Sequence, residues 1–450
     1  MSEAPPIPWW RDRVAWWALL AGLWLRAATL ARWPQTPCIR DECTYVNLAE
    51  RIVDGEGMTA ASGGWLWAPG YPAVMAAHDV LLGQPEAIKG SQVALSVVTM
   101  LLAYTLARDI GGRGAARWAV WLYALSPTFV FFTVSMWSEW LYLTLLLGSL
   151  LALGWARRGG LLRGALPGAL VGLCVLLRGV ATYMLPIFGV GLLWGRWRSG
   201  RAWGSVVALA LGAALVVGPY ATRTSARYEG RVISDRTLGQ MMWLGNNDFP
   251  PMTFDWGNGT LTQQDYTRAL IQGRPHCPFQ GDPTVWDDCE VRKGVRWIQE
   301  HPDAFVQRIP LRLAQLFNPH SFLTRHLKWG RWKELNEAMG RGLILATVGW
   351  SLTAILGGTA GMVGRGRSWR VVVMGGILLY HFAAIGLLAG LSRYRVPLDG
   401  LWLLWAAALL ASPRPTLQAI WDAPWRFLLT VICFAVLVPL TLRFLPTGFQ

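Results

Sequence analysis

The sequence predicts an all-α polytopic membrane protein, and three observations carry that reading. Hydrophobic residues make up 53% of its 450 positions and charged ones only 15%, with a mean hydropathy of +0.33. A soluble domain of this length carries more charge. About eleven apolar runs recur along the chain, most of them near the ~17–25 residues a helix needs to cross a bilayer. The short loops between them concentrate arginine on one side, a pattern that orients a bundle.

The runs lie near 14–31, 92–107, 118–134, 137–156, 164–177, 180–195, 202–218, 342–362, 371–391, 396–411 and 426–444. The first, Val14 to Ala31, is long, Trp-rich and followed by Arg32-Trp33-Pro34, whereas a cleavable signal has a short apolar core ending in small residues, so it reads as a retained helix. Short runs such as 164–177 predict tilted or broken spans. Arg11, Arg13, Arg108, Arg113, Arg117, Arg157, Arg158, Arg163, Arg196, Arg198, Arg201, Arg365, Arg367, Arg370 and Arg414 fall on one side, which the positive-inside rule makes cytoplasmic. Gly111-Gly112-Arg113-Gly114 lacks a phosphate-binding lysine and reads as a tight turn there. The N-terminus is then inside and the C-terminus outside, with long loops at 32–91 and 219–341 facing the extracytoplasmic space. Three parts follow: an N-terminal transmembrane module (1–218), a long extracytoplasmic loop (219–341) that must carry folded elements of its own, and a C-terminal transmembrane module (342–450).

The excess of 41 Lys+Arg over 26 Asp+Glu, +15 in all, suits helix orientation, anionic lipid headgroups or phosphate, and in so apolar a chain it does not indicate nucleic acid. Cys38, Cys43, Cys277 and Cys289 lie in polar loops where disulfides are allowed, and Cys277 with Cys289 is the expected pair, with Cys38 and Cys43 second.

The chemistry gathers at the outer boundary. Arg40-Asp41-Glu42-Cys43-Thr44-Tyr45 opens a segment whose apolar positions Tyr45, Val46, Leu48, Ala49, Ile52 and Val53 recur at helical spacing, an interfacial helix with Asp41 at its mouth. Asp41 there either caps the helix or acts as a base on membrane-bound substrates. Paired prolines in Pro69-Gly70-Tyr71-Pro72 predict irregular chain, and Ala73 to Leu82 a second interfacial segment. Glu139 stands at the outer end of the fourth run and Arg178 at the mouth of the fifth, either as an ion pair stapling the bundle or in catalysis and phosphate binding. Asn246-Asn247 offers amides to sugar hydroxyls or forms an ordinary turn. Asp287 to Phe317 predicts an interfacial helix broken at Pro302 and Pro310, with Arg296, Arg308 and Arg312 on its polar face. Ser392-Arg393-Tyr394-Arg395 places two guanidinium groups at the outer boundary, where they suit bidentate phosphate binding better than anchoring. The histidines show no zinc-hydrolase spacing, and neither a Gly-x-Ser-x-Gly elbow nor a Walker loop occurs, which excludes those chemistries.

In their order and on their side of the membrane, Asp41-Glu42, Pro69-Gly70-Tyr71-Pro72, Glu139, Trp243-Leu244-Gly245-Asn246-Asn247 and Arg393-Tyr394-Arg395-x-Pro397 resemble the GT-C membrane glycosyltransferases. The match is to glycosyltransferase family 39 in particular, which includes protein O-mannosyltransferases and aminoarabinose transferases. The resemblance implies inverting transfer of one sugar from a polyprenyl-phosphate donor to a lipid, glycan or protein hydroxyl, at the extracytoplasmic face of a bacterial inner membrane. It implies Asp41 as general base and Arg393, Arg395 and Arg178 on the donor phosphate. Tyr45, Tyr71, Asn246, Asn247 and Tyr394 would line the sugar and acceptor. Glu42 and Glu139 would orient the sugar, position an arginine or hold a divalent ion (Mg or Mn, with Asp41 and Glu42 as its ligands); no other cofactor is implied. The chain departs from the mannosyltransferases in carrying Ala68-Pro69-Gly70-Tyr71 in place of a His-Pro-Pro-like stretch and in lacking a large soluble C-terminal domain, so the acceptor stays open. Two rival readings remain: an O-antigen ligase or polymerase, which would depend on outer-loop arginines and a histidine such as His381, and a lipid-linked sugar flippase, which would carry polar residues at mid-membrane.

Overall fold

The computed structural model describes residues 9–32, 38, 41–58, 66–248, 277, 281–318, 323, 326, 337–366 and 368–442. The expected exit at 33–37, Arg40, the Gly/Trp-rich turn at 59–65 and the Pro250-Pro251 turn lie outside these residues. The helices are α1 (Arg13–Ala31), α2 (Asp41–Val53), α3 (Gly70–Leu82), α4 (Ile88–Leu125), α5 (Pro127–Thr133), α6 (Ser138–Arg157), α7 (Ala165–Leu177), α8 (Leu185–Leu193), α9 (Gly200–Ser225), α10 (Leu238–Gly245), α11 (Pro283–Glu300), α12 (Pro302–Phe317), α13 (Glu337–Leu352), α14 (Gly358–Gly364), α15 (Trp369–Leu387), α16 (Val396–Ala411), α17 (Pro413–Trp421) and α18 (Pro424–Leu442). Among the described residues the only strand-like pairing is a single antiparallel bridge between Leu66 and Arg236.

The apolar runs read from the sequence are largely helical over their described residues, though they differ in how they span. Among the described residues, seven helices are long and apolar enough to cross a membrane, or eight counting the pair Ser392–Ala411 and Pro413–Trp421, which bends by 100°. Two runs share α4, which breaks at Gly111 and Gly112. Gly112 has φ 78° and ψ −169°, a region open essentially to glycine alone. The two short runs become the short apolar helices Leu162–Leu177 and Gly179–Leu193.

Packing follows from small residues and buried rings. Gly164 and Gly168 lie against the backbone of Ser205 and Leu209 on α9 so closely that a Cβ at either would collide, and one on Gly172 would press tightly on Val216 and Ala213; spacing by four puts them on one helix face, the device by which membrane helices approach. At the centre α16 runs between α4 and α6, burying Trp402 and Trp405, and Tyr123 Oη donates to the Gly400 carbonyl at 2.6 Å.

Two local expectations are corrected. Pro72 does not keep its segment irregular: it lies in the first turn of α3, where backbone N–H groups have no intrahelical acceptor and a missing one costs nothing. Arg312 is not on an outward polar face. It is buried, donating to the carbonyls of Gly386 and Gly245 at 2.5 Å and to Asn246 Oδ1 at 2.8 Å. It thereby satisfies the last carbonyls of α15 and α10 and fastens the second long loop to the bundle.

Candidate active site

Four charged side chains from four separate elements meet at one end of the bundle. Asp41 opens α2, Glu139 sits in the first turn of α6, Arg178 follows α7, and Arg393 lies in the 3-10 turn Ser392–Arg395 that leads into α16. Arg393 Nη1 donates to Asp41 Oδ2 at 2.6 Å, and Arg178 Nη1 donates to Glu139 Oε1 at 2.6 Å. Arg393 Nε is 3.8 Å from the same Glu139 oxygen, so the charges alternate along one connected row. Aromatic rings support the cations: Tyr394 lies 5.3 Å from the Arg393 guanidinium and 5.4 Å from that of Arg178, and Trp137 lies 4.9 Å from Arg393. Rings at these distances stabilise a guanidinium while leaving its edge free to donate. Glu139 is 1% exposed, and its Oε2 has no hydrogen-bond partner among the described residues. A buried carboxylate oxygen left so is costly, which marks a site awaiting a further group.

Arg178 and Arg393 border a cavity of about 180 Å³, and Tyr45, Trp67, Tyr142 and Tyr394 supply its rings. Burial pushes the Tyr45 hydroxyl well above its ordinary range; it lies 3.4 Å from Ser138 Oγ. The remaining polar lining comes from Asp235, Thr237, Gln240 and His381. Asp235 Oδ2 accepts from the Gly179 N–H at 3.2 Å, and burial raises its carboxyl above the usual carboxylate range against the opposing pull of that bond and of Arg178. The segment is held here because Arg236 N donates to the Leu66 carbonyl at 2.7 Å, linking the two long loops.

Other residues expected at the site face elsewhere. Glu42 is buried and accepts from the Met136 N–H at 3.1 Å. Tyr71 lies behind Tyr45, ring centroids 5.0 Å apart, with its hydroxyl on Gln92. Arg395 points away from Arg393: its donors go to Asp399 (3.0 Å), the carbonyls of Leu316 (3.0 Å) and Asn318 (2.6 Å), and Ser351 (2.8 Å). Asn246 donates to the Leu387 and Met242 carbonyls at 2.9 Å, joining α15 to α10, and Asn247 donates back to the Trp243 carbonyl of α10 at 2.7 Å; neither lines the cavity. Cys277 is bonded to Cys289 and Cys38 to Cys43, the latter tying the approach to α2 to its first turn. Asp235 and Gln240 carry no motif. The sequence signal available for Asp235 was an acid beside an arginine in the stretch following α9.

Among the described residues no three His, Cys, Asp or Glu side chains converge as metal ligands. Asp41 is held by Arg393, Glu42 by a backbone N–H and Glu139 by Arg178.

No protein-family model and no curated protein sequence matches the chain. Among solved structures it is similar to the Archaeoglobus fulgidus oligosaccharyltransferase AglB. One such structure, in complex with an inhibitory peptide and a dolichol-phosphate, aligns at TM-score 0.52 and 15% identity over 98% of this chain and 56% of the other. Another, with Zn and sulfate, aligns at 0.51 and 14% over 97% and 53%. ArnT from Cupriavidus metallidurans bound to undecaprenyl phosphate aligns more loosely, at 0.40 and 11% over 90% and 79%. The chain thus spans about half the length of the oligosaccharyltransferase. At such identities the likeness establishes architecture: this chain has the polytopic GT-C fold.

Proposed function

We propose that the chain is an inverting glycosyltransferase moving a single sugar from a polyprenyl-phosphate donor to a lipid, glycan or protein hydroxyl, at the extracytoplasmic face of a bacterial inner membrane. The observation that carries it is the Asp41–Arg393–Glu139–Arg178 row, whose two arginines border a cavity of about 180 Å³. A cavity of about 150 Å³ takes one benzene ring, so this one has room for a single six-membered ring. The dolichol-phosphate held by the oligosaccharyltransferase of similar fold supports a lipid phosphate as the group the two arginines receive.

The chemistry follows from competition for Arg393. Without donor its guanidinium neutralises Asp41; an anionic phosphodiester beside Arg178 draws it away and leaves the carboxylate free. The acceptor oxygen then attacks the anomeric carbon, its proton passes to Asp41, and the bond from that carbon to the phosphate oxygen breaks with its electron pair leaving on the phosphate. The phosphate gains a negative charge as it departs. Arg178 and Arg393 therefore bind the transition state more strongly than the bound donor, which is the condition for catalysis. No general acid is required for so good a leaving group.

The test is sugar transfer from radiolabelled undecaprenyl-phosphate monosaccharides to cell-envelope acceptors by the full-length protein in detergent. Asp41→Asn should lower kcat about 10²–10⁴-fold, the usual worth of a general base, while donor binding tightens because Arg393 no longer has to leave a carboxylate. Normal transfer by the variant would reduce Asp41 to a helix-terminal residue. His381 at the cavity wall favours the ligase alternative as a second reading, under which His381→Ala abolishes transfer and Asp41→Asn does not.

A further inference from the structure

Four polar side chains of the cavity wall take no part in the row of charges: Thr237, which hydrogen-bonds Asp235, and the three below. The side-chain amide of Gln240 has no hydrogen-bond partner among the described residues. His381 is buried, and its Nδ1 lies 2.8 Å from the Ile377 carbonyl. A carbonyl only accepts, so Nδ1 carries the hydrogen, and in the neutral ring Nε2 presents a lone pair. That nitrogen has no partner among the described residues either, in a side chain 6% exposed that lines the cavity.

Asp235 is the third, and its placement is built. The Gly179 N–H holds one carboxyl oxygen, and a Cβ at residue 179 would collide with the other; only glycine lets the carboxyl approach the backbone this closely. The peptide from Arg178 to Gly179 thereby serves both halves of the cavity, its arginine on Glu139 and its glycine N–H on Asp235. The rings of Trp67, Tyr142 and Tyr394 close the remaining sides. Ringed walls with a few convergent polar groups fix a small ligand's orientation.

Resting on the glycosyltransferase reading above, we infer that Asp235, Gln240 and His381 form the subsite that reads the hydroxyl pattern of the transferred sugar, a polyhydroxylated monosaccharide ring whose phosphate lies on Arg178 and Arg393. Gln240 gives one donor pair and one acceptor, His381 Nε2 and Asp235 give acceptors, and a ring bearing adjacent hydroxyls satisfies all three. Chemistry at the anomeric carbon stays with Asp41. Selectivity among hexose epimers is the property these residues govern.

The experiment measures dissociation constants of the full-length protein in detergent for undecaprenyl phosphate and for its glucosyl, mannosyl and galactosyl derivatives. The wild-type protein should prefer one hexosyl lipid over its epimers by about tenfold, the worth of one or two hydrogen bonds. Asp235→Asn keeps an acceptor for the Gly179 N–H, and Gln240→Ala removes a group that holds nothing in the fold. In each the preference should fall towards one while affinity for bare undecaprenyl phosphate stays within about threefold. Preference retained in both variants, or wild-type protein that binds bare undecaprenyl phosphate yet does not distinguish the hexoses, overturns the inference and leaves the glycosyltransferase reading standing. Wild-type protein that binds none of the four lipids overturns the phosphate clamp, and the inference with it.

Discussion

Asp12, just before α1, and Glu139, in the candidate site, each lie against two arginines, with different outcomes. Asp12 is fully buried; Arg113 Nε and Arg117 Nε each reach it at 3.0 Å, Tyr104 Oη at 3.2 Å and the Val14 N–H at 3.2 Å. Burial alone would raise this carboxyl, but the hydrogen bonds and charges of Arg117 and Arg113 lower it to about 2. In the candidate site Glu139 lies between Arg178 at 2.6 Å and Arg393 at 3.8 Å, with Asp41 on the far side of Arg393; the Glu139 Oε2 has no hydrogen-bond partner among the described residues, and both guanidinium groups border a cavity. Residue types are the same, and satisfaction differs. A saturated cluster is a clasp; one left short of partners beside a cavity is placed to receive a ligand.

Removing Glu139 or Asp12 is the strongest way to break this comparison. Glu139→Gln leaves Arg178 largely buried without its carboxylate, a loss of about 3–5 kcal/mol. A bound phosphate would restore the missing anion, so undecaprenyl phosphate should raise Tm more in this variant than in wild type. Asp12→Asn should cost about 1–3 kcal/mol, with a lipid-induced rise equal to that of wild type. Equal rises in all three proteins would put the Glu139 cluster in the same class as the Asp12 clasp.

The paired arginines of the 392–395 turn sharpen the same contrast within three residues. Arg393→Lys keeps the charge but loses the fork, and donor affinity should fall about tenfold with little change in Tm. Arg395→Lys should do the opposite, lowering stability by about 1–3 kcal/mol through the lost bonds to Leu316, Asn318 and Ser351, with donor affinity retained. Both substitutions are read by thermal unfolding and lipid titration of the same preparations.

That pair shows what was legible. Apolar length gave the helices, because each run had to bury or face lipid whatever its neighbours did. Asp41, Glu139, Arg178 and Arg393 stood out because charge at the end of an apolar run is costly unless it is used. Which way a side chain turns was not legible: Arg393 and Arg395 are chemically identical in sequence and face opposite directions in a 3-10 turn. Asn246 and Asn247 suited sugar hydroxyls as well as the helix carbonyls they bind. Asp235 and Gln240 are held at the cavity by the Leu66–Arg236 bridge and the Gly179 N–H to Asp235 bond, contacts between distant segments that no local pattern announces. Arg26, buried in α1 and donating to the Tyr123 and Ala124 carbonyls at 2.9 Å, is likewise explained by a helix end elsewhere in the chain.

The smallest effect separates the clasp from the site by pH alone. Asp12 titrates at about 2 in the folded protein and near the ordinary ~3.9 when unfolded. Between those values the unfolded chain binds more protons, so stability rises with pH there. The contribution of Asp12 is complete above about pH 5 and is lost as pH falls through about 4 towards 2. Arg113 and Arg117 stay charged throughout and are 42% and 35% exposed, so screening limits the loss between pH 5 and pH 3 to at most about 1 kcal/mol. Other carboxylates titrate in the same window. The quantity to follow is therefore the Tm of wild type minus that of Asp12→Asn at each pH. That difference should shrink steadily below pH 5 and be insensitive to undecaprenyl phosphate, because the clasp has no position left for a phosphate to fill. A difference that holds constant to pH 3 would mean the two arginines do not grip Asp12 in solution, and the contrast between the two clusters would then rest on geometry alone.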